Sequence, residues 1–135
     1  MVTINHLIVP SHDKRKAAEF LASVLGISGG AHDLGPHSTV QINDSFLIHF
    51  DNKDAFDQFH FAFHVSDEEF DDILERVRKA GITYTGNPAT KEVGTLYSRY
   101  QGRGFYFANP DGHLLEVSTR GESVERLRER MKSTK

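Results

Sequence analysis

Twice along this chain the apolar residues switch from a period of two to a helical period and back, and that repetition limits the folds open to it more than any other feature. The first pass begins at residues 2–9, a β-branched alternating run closed by Pro10, with His6 on the same face as Ile4 and Ile8. A helix over 13–25 follows, striped by Ala17, Leu21, Val24 and Leu25 and ended by Gly26. Residues 28–37 read as a loop, and 39–42 and 45–51 as a hairpin about Asn43-Asp44. In its second strand Phe46, Ile48 and Phe50 share one face, leaving Leu47, His49 and Asp51 on the other.

The second pass is cleaner. Over 59–65, Phe59, Phe61, Phe63 and Val65 alternate with His60, Ala62 and His64. Ser66 and Glu69 form a capping-box pattern ahead of a helix carrying Phe70, Ile73, Leu74 and Val77, which ends at Ala80-Gly81. A short strand at 82–85 leads into a long segment, 86–103, bearing Lys91, Tyr97, Arg99, Tyr100 and Arg103. The closing hairpin, 102–119, turns at Asn109-Pro110-Asp111-Gly112. It sorts Phe105 and Phe107 from Gly104, Tyr106 and Ala108, then Leu115 and Val117 from Leu114, Glu116 and Ser118. Ser123 caps a last helix with Val124, Leu127 and Met131.

The spacings agree between passes. His6 precedes Gly26 by 20 residues and His60 precedes Gly81 by 21, while His49 and Glu116 each lie 4 residues beyond Ser45 and Gly112. His6 therefore corresponds to His60, and His49 to Glu116. The expected fold is α+β: two βαβββ modules, 1–57 and 58–119, forming a curved, half-barrel-like mixed sheet around a cleft, with a C-terminal helix at 122–132. At 135 residues the chain is expected to be one domain, 1–135.

The net charge of −3 argues against nucleic-acid binding, and the absence of cysteine removes disulfides and thiol catalysis. No apolar run approaches the roughly 20 residues that span a bilayer, and residues 1–6 begin directly as a strand without a signal-peptide pattern. A cytoplasmic protein with no membrane partner is the expectation.

The helices cover the Phe-rich faces, so the remaining face lines the cleft, and four strands each place one metal-competent side chain there: His6, His49, His60 and Glu116. One strand histidine alone is more often an ordinary core or surface residue; the repeat is what joins the four. A carboxylate amid so apolar a strand needs a partner when buried, although Glu116 on a half-solvated sheet is the alternative. Imidazoles with a carboxylate suit Zn(II), Ni(II), Mn(II) or Fe(II) and leave positions open for water and substrate.

The motifs Ile4-Asn-His-Leu-Ile8, Phe59-His-Phe-Ala-Phe63 and Gly104-Phe-Tyr-Phe-Ala-Asn-Pro-Asp-Gly-His-Leu-Leu-Glu116 resemble those of the vicinal-oxygen-chelate superfamily, the last hairpin most specifically. That superfamily includes glyoxalase I, fosfomycin-resistance thiol transferases, methylmalonyl-CoA epimerase, extradiol dioxygenases and bleomycin-resistance proteins. The resemblance covers nearly the whole chain and implies a glyoxalase-like domain with His6, His60 and Glu116 as ligands of a divalent metal. His49 falls where glyoxalase I has a carboxylate, so it is a fourth candidate ligand.

The resemblance further implies a small-molecule substrate, chelated through vicinal oxygens, and a homodimer that pairs modules between chains. Glu116 and Tyr106 are the candidate catalytic residues; Tyr106 is either a hydrogen-bond donor to a metal-bound oxygen or a tyrosine packed at a sheet edge. Arg103, His64 and Leu47 are candidate substrate contacts, and Arg103, Arg99 and Lys91 give the long segment a positive balance suited to an anionic substrate. His64 lies roughly 13 Å along the strand from His60, too far to share its metal.

Three functions follow: a metal-dependent lyase, isomerase or transferase; a metal-free drug-binding protein of the bleomycin-resistance type; and an Fe(II) extradiol-type dioxygenase. The complete ligand set favours an enzyme over the drug-binding protein, and the short chain argues against the dioxygenase. Ile8, where fosfomycin-resistance proteins have threonine, and Leu96 and Tyr100, where their Lys and Ser find no counterpart, argue against that particular activity.

Overall fold

The computed structural model describes residues 1–90, 92–120 and 124–133; Lys91 and the expected cap Ser123 lie outside the described residues. In the first half, β1 (His6–Ser11), α1 (Lys14–Leu25), β2 (Ala31–Leu34), β3 (His37–Asn43) and β4 (Phe46–Asn52) follow one another. The second half contains β5 (His60–His64), α2 (Asp67–Lys79), β6 (Tyr84–Thr85), β7 (Tyr97–Arg99), β8 (Gly102–Ala108) and β9 (Leu114–Ser118), and α3 (Val124–Ser133) ends the chain. The strands form two mixed sheets, ordered β1-β4-β3-β2 and β5-β9-β8-β6, with β7 also paired to β8. They do not close into a barrel. The fold is α+β, as the repeat requires.

Local chemistry sets the helices. The Asp13 carboxylate caps α1 by accepting from the Lys16 amide at 3.1 Å, and Gly26 closes it at φ 71°, a left-handed conformation that favours glycine. Both bonds of the capping box start α2: Ser66 Oγ accepts from the Glu69 amide at 3.1 Å, and Glu69 Oε1 accepts from the Ser66 amide at 2.9 Å. The two helices bury Leu21, Val24, Phe70, Ile73 and Val77 against Val9, Ile48, Phe50, Phe105, Phe107, Leu115 and Val117. Each fully buried phenylalanine contributes about 1.5–3 kcal/mol. No helix among the described residues is long and apolar enough to cross a membrane.

Two local expectations differ from the structure. The first strand starts at His6 rather than at residue 2 and runs through Pro10 to Ser11. Pro10 is tolerated because β1 pairs only with β4, so its missing N–H costs no ladder bond on the open side. Residues 31–34, expected within a loop, form β2, antiparallel to β3 from Ala31↔Val40 to Leu34↔His37. Ala-His-Asp-Leu carries no strand pattern of its own, and its conformation comes from pairing with β3.

A buried histidine joins the two halves. His113, 0% exposed, accepts from the Phe59 amide through Nδ1 at 2.9 Å and donates from Nε2 to the Pro10 carbonyl at 2.8 Å. Those two bonds fix one neutral tautomer. Asn109 Oδ1 holds the turn beneath it by accepting from the Asp111 and His113 amides, and Asp111 Oδ1 accepts from the His12 amide at 2.9 Å. His113→Ala leaves a buried amide and carbonyl without partners, and is expected to cost about 2–4 kcal/mol in urea unfolding; an unchanged midpoint would refute this role.

Candidate metal centre

The register of two parallel strand pairs builds the site. His6 pairs with Leu47 and Ile8 with His49 across β1 and β4, while His60 pairs with Leu114 and Ala62 with Glu116 across β5 and β9. Register partners share a face, so His6, Leu47 and His49 lie together in one sheet, and His60 and Glu116 lie together in the other. The repeat correspondence holds residue for residue in the ladder.

In the first sheet the His6 and His49 rings are 5.1 Å apart, and His37 stacks on His49 at 4.9 Å. His6 Nδ1 donates to Asn5 Oδ1 at 2.8 Å, which leaves Nε2 as the lone-pair nitrogen. Thr39 Oγ1 lies 2.7 Å from His49 Nδ1. Burial, then the neighbouring His37 and His6, hold the His49 imidazole below the usual histidine range. Its neutral, metal-competent form is thereby favoured.

In the second sheet His60 Nδ1 donates to the Leu114 carbonyl at 3.0 Å, and its Nε2 faces Glu116 Oε1 at 3.3 Å. Either a proton on Nε2 or a metal ion between the two atoms satisfies that approach. The other carboxylate oxygen, Oε2, accepts from the Tyr97 hydroxyl at 2.5 Å. Burial and that donation push the Tyr97 phenol well above its ordinary value, keeping it a donor. Tyr97 reaches Glu116 by lying across Gly104, where a Cβ would collide with the Tyr97 ring. Gly104 corresponds to His37 in the first half, so the slot that one module fills with an imidazole is left open in the other for a tyrosine.

The sequence-derived residues distribute as follows. His6 and His49 form one pair and His60 and Glu116 another. Among the described residues, no three His, Cys, Asp or Glu side chains gather to hold a metal. Leu47 is half-buried beside His6. Tyr106 pairs with Glu116 in register, its ring 6.0 Å from that of His60, and its hydroxyl accepts from Arg99 Nη2 at 2.7 Å. His64 Nε2 donates to the Thr119 carbonyl at 3.0 Å. Arg103 lies on the opposite face of β8, over the Phe70 ring at 4.3 Å and paired with Asp71 at 2.8 Å and Asp67 at 3.4 Å, so the structure does not bring it to Glu116. The sequence reading missed Tyr97 and His37 as site residues. Aligning the repeat finds His37, opposite Gly104, but no pattern in the strandless-looking segment marks Tyr97.

A βαβββ repeat of this order, with imidazoles and a carboxylate on the uncovered faces of two sheets, is the architecture of a known superfamily. The chain belongs to the Glyoxalase/Bleomycin resistance protein/Dioxygenase superfamily, whose sequence model matches residues 3–117. It is similar to the glutathione transferase FosA of Serratia marcescens, 28% identical over 123 residues that make up 85% of this chain and 79% of that protein. Metallothiol transferase FosB of Shouchella clausii is 39% identical over 69 residues, 50% of this chain and 42% of the relative. Among solved structures, Oxidase ChaP-H1 superposes with a TM-score of 0.84 at 35% identity, covering 90% of this chain and 98% of that one. Oxidase ChaP-H2 gives 0.84 at 38%, covering 90% and 96%. These relatives support a metal-dependent enzyme of the superfamily.

Gly104→Ala is expected to cost about 1–3 kcal/mol by overpacking the Tyr97 ring. In a Tyr97→Ala background the same substitution should cost less than half as much in thermal or urea unfolding. Equal costs in both backgrounds would show that the ring does not account for the glycine.

Proposed function

We propose that this chain is a metal-dependent oxidase of a small molecule with adjacent oxygens, acting as a homodimer whose site takes His60 and Glu116 from one protomer and His6 from its partner. The observation that carries the reading is the pair of His60 Nε2 and Glu116 Oε1, 3.3 Å apart with Nδ1 already committed to the Leu114 carbonyl. Such a pair is preorganised for a cation. The strand edges support the dimer. His6 and His60 sit on β1 and β5, each hydrogen-bonded within its sheet on one side only. Around β1, Ile4, Leu7 and Ile8 are 66%, 42% and 49% exposed, an apolar strand edge that a second copy would cover.

Two imidazoles and a carboxylate suit Fe(II), Mn(II), Ni(II) or Zn(II), and His49 is placed to assist His6. An ion held there supplies Lewis acidity toward adjacent substrate oxygens and, as Fe(II), access to dioxygen chemistry. The chain's own residues do the rest. Tyr97 occupies Glu116 Oε2 and leaves Oε1 as the free oxygen. The Tyr106 hydroxyl, accepting from Arg99, keeps its own proton without an acceptor among the described residues and can donate it to a substrate oxygen.

The oxidase reading rests on the near-complete mutual coverage with two oxidases at 35% and 38% identity. Thiol transfer is the second reading, favoured by the 28% identity to a glutathione transferase across 79% of that protein. Metal analysis of the purified chain, followed by oxygen uptake with catechols against conjugation of glutathione to epoxides, separates the two. Light scattering at micromolar concentration should give the mass of a dimer, and a monomer would remove the shared site.

Glu116→Gln should keep the fold, lose most of the metal affinity and abolish activity; unchanged metal binding would make Glu116 a structural residue and remove it from the ligand set. His6→Ala and His60→Ala homodimers should each be inactive. Mixed and re-equilibrated, they should recover activity, because a heterodimer restores one intact site. No recovery would mean that the two histidines serve the same site from one chain or do not serve it at all.

A further inference from the structure

Beside the Glu116 face opens a cavity of about 410 Å³, whose walls include Pro88, Leu96, Tyr97, Arg99 and Tyr106. It shares both tyrosines with the candidate centre. The Arg99 guanidinium lies 4.1 Å from the Tyr97 ring centroid and 5.9 Å from that of Tyr106, and donates to the Tyr106 hydroxyl at 2.7 Å. That stacking and the one bond hold its plane in place.

The neighbouring arginine is neutralised: Arg103 pairs with Asp67 and Asp71. Arg99 makes no direct ion pair with a carboxylate among the described residues, although its pKa is raised by the Tyr106 bond first and also by nearby Glu116, and Glu92 lines the same cavity. A guanidinium has five N–H donors in a planar fork, and among the described residues Arg99 commits one, to Tyr106. A fixed cation with unclaimed donors, set in a wall of Pro88, Leu96 and two tyrosine rings, matches a planar anion attached to an aromatic ring. The fork geometry suits a carboxylate, and the cavity has the size of a small-ligand site.

We propose that Arg99 recognises the carboxylate of a small aromatic acid, and so selects the substrate class of this site. The proposal rests on the oxidase reading for where the adjacent oxygens of the substrate go; the recognition of charge itself does not require the metal. Of Arg103, Arg99 and Lys91, which the sequence suggests for an anionic substrate, Arg99 takes that part, because Arg103 is turned to the opposite face of β8 and occupied by α2.

The test is calorimetric titration of the full chain, metal-free and zinc-loaded, with salicylate and with its neutral analogue salicylamide. Wild type should bind salicylate about tenfold or more tightly than salicylamide, the size expected for a charge-assisted hydrogen bond. Arg99→Gln should erase that preference while leaving salicylamide binding unchanged, Arg99→Lys should retain part of it, and Arg103→Gln should keep all of it. The proposal falls if wild type binds neither probe or does not prefer the acid, if Arg99→Gln keeps the preference, or if Arg103→Gln loses it. Failure of the metal centre would show separately, as absent zinc binding with the charge preference of the metal-free protein intact.

Discussion

Parallel pairing of an edge strand with the far strand of its own hairpin is the constraint on which this molecule depends. Partners in a parallel ladder share a face, so one choice of register in each half decides which side chains meet. Pairing His60 with Leu114 places Glu116 next along the same face, and pairing His6 with Leu47 does the same for His49. A slip of one residue would turn Glu116 toward the helix-covered core and expose Val117 and Leu115. The phenylalanines and valines that α1 and α2 bury therefore hold the register, and the register holds the site.

The same constraint explains how one architecture produces two different half-sites. In the first half the slot two residues before Thr39 carries His37, whose ring stacks on His49. In the second half the corresponding slot is Gly104, and the missing side chain is what lets Tyr97 cross the strand to the carboxylate. The first half thus assembles neutral imidazoles, and the second a carboxylate with one oxygen occupied and one free. One change of side-chain volume, His37 against Gly104, and one of donor type, His49 against Glu116, separate a nitrogen-donor face from an oxygen-donor face on a repeated scaffold.

Polar bonds couple the two halves, one set of them buried. His113 satisfies an amide and a carbonyl from different halves at once, and Arg76 reaches across to the Val24 carbonyl at the end of α1 at 3.4 Å. Such bonds are individually modest, but leaving the groups around His113 buried and unpaired is costly, so its two bonds fix the relative placement of the halves more firmly than their net contribution suggests.

Periodicity alone determined the elements: the Phe59, Phe61, Phe63 alternation, the Ser66–Glu69 capping box and the Gly26 stop are local, and each folds as its residues dictate. Counting along the repeat also determined that His6 corresponds to His60 and His49 to Glu116, since a strand's period of two fixes faces without knowledge of the neighbours. Tertiary structure alone decided the rest. Residues 31–34 became a strand because β3 offered an edge, Arg103 was drawn to the carboxylates of α2, and His113 found its partners 54 and 103 residues away. Tyr97 met Glu116 only because a glycine on the intervening strand gave way. Contacts of that kind depend on which segments pack together, and packing is a property of the assembled sheets rather than of any stretch of sequence.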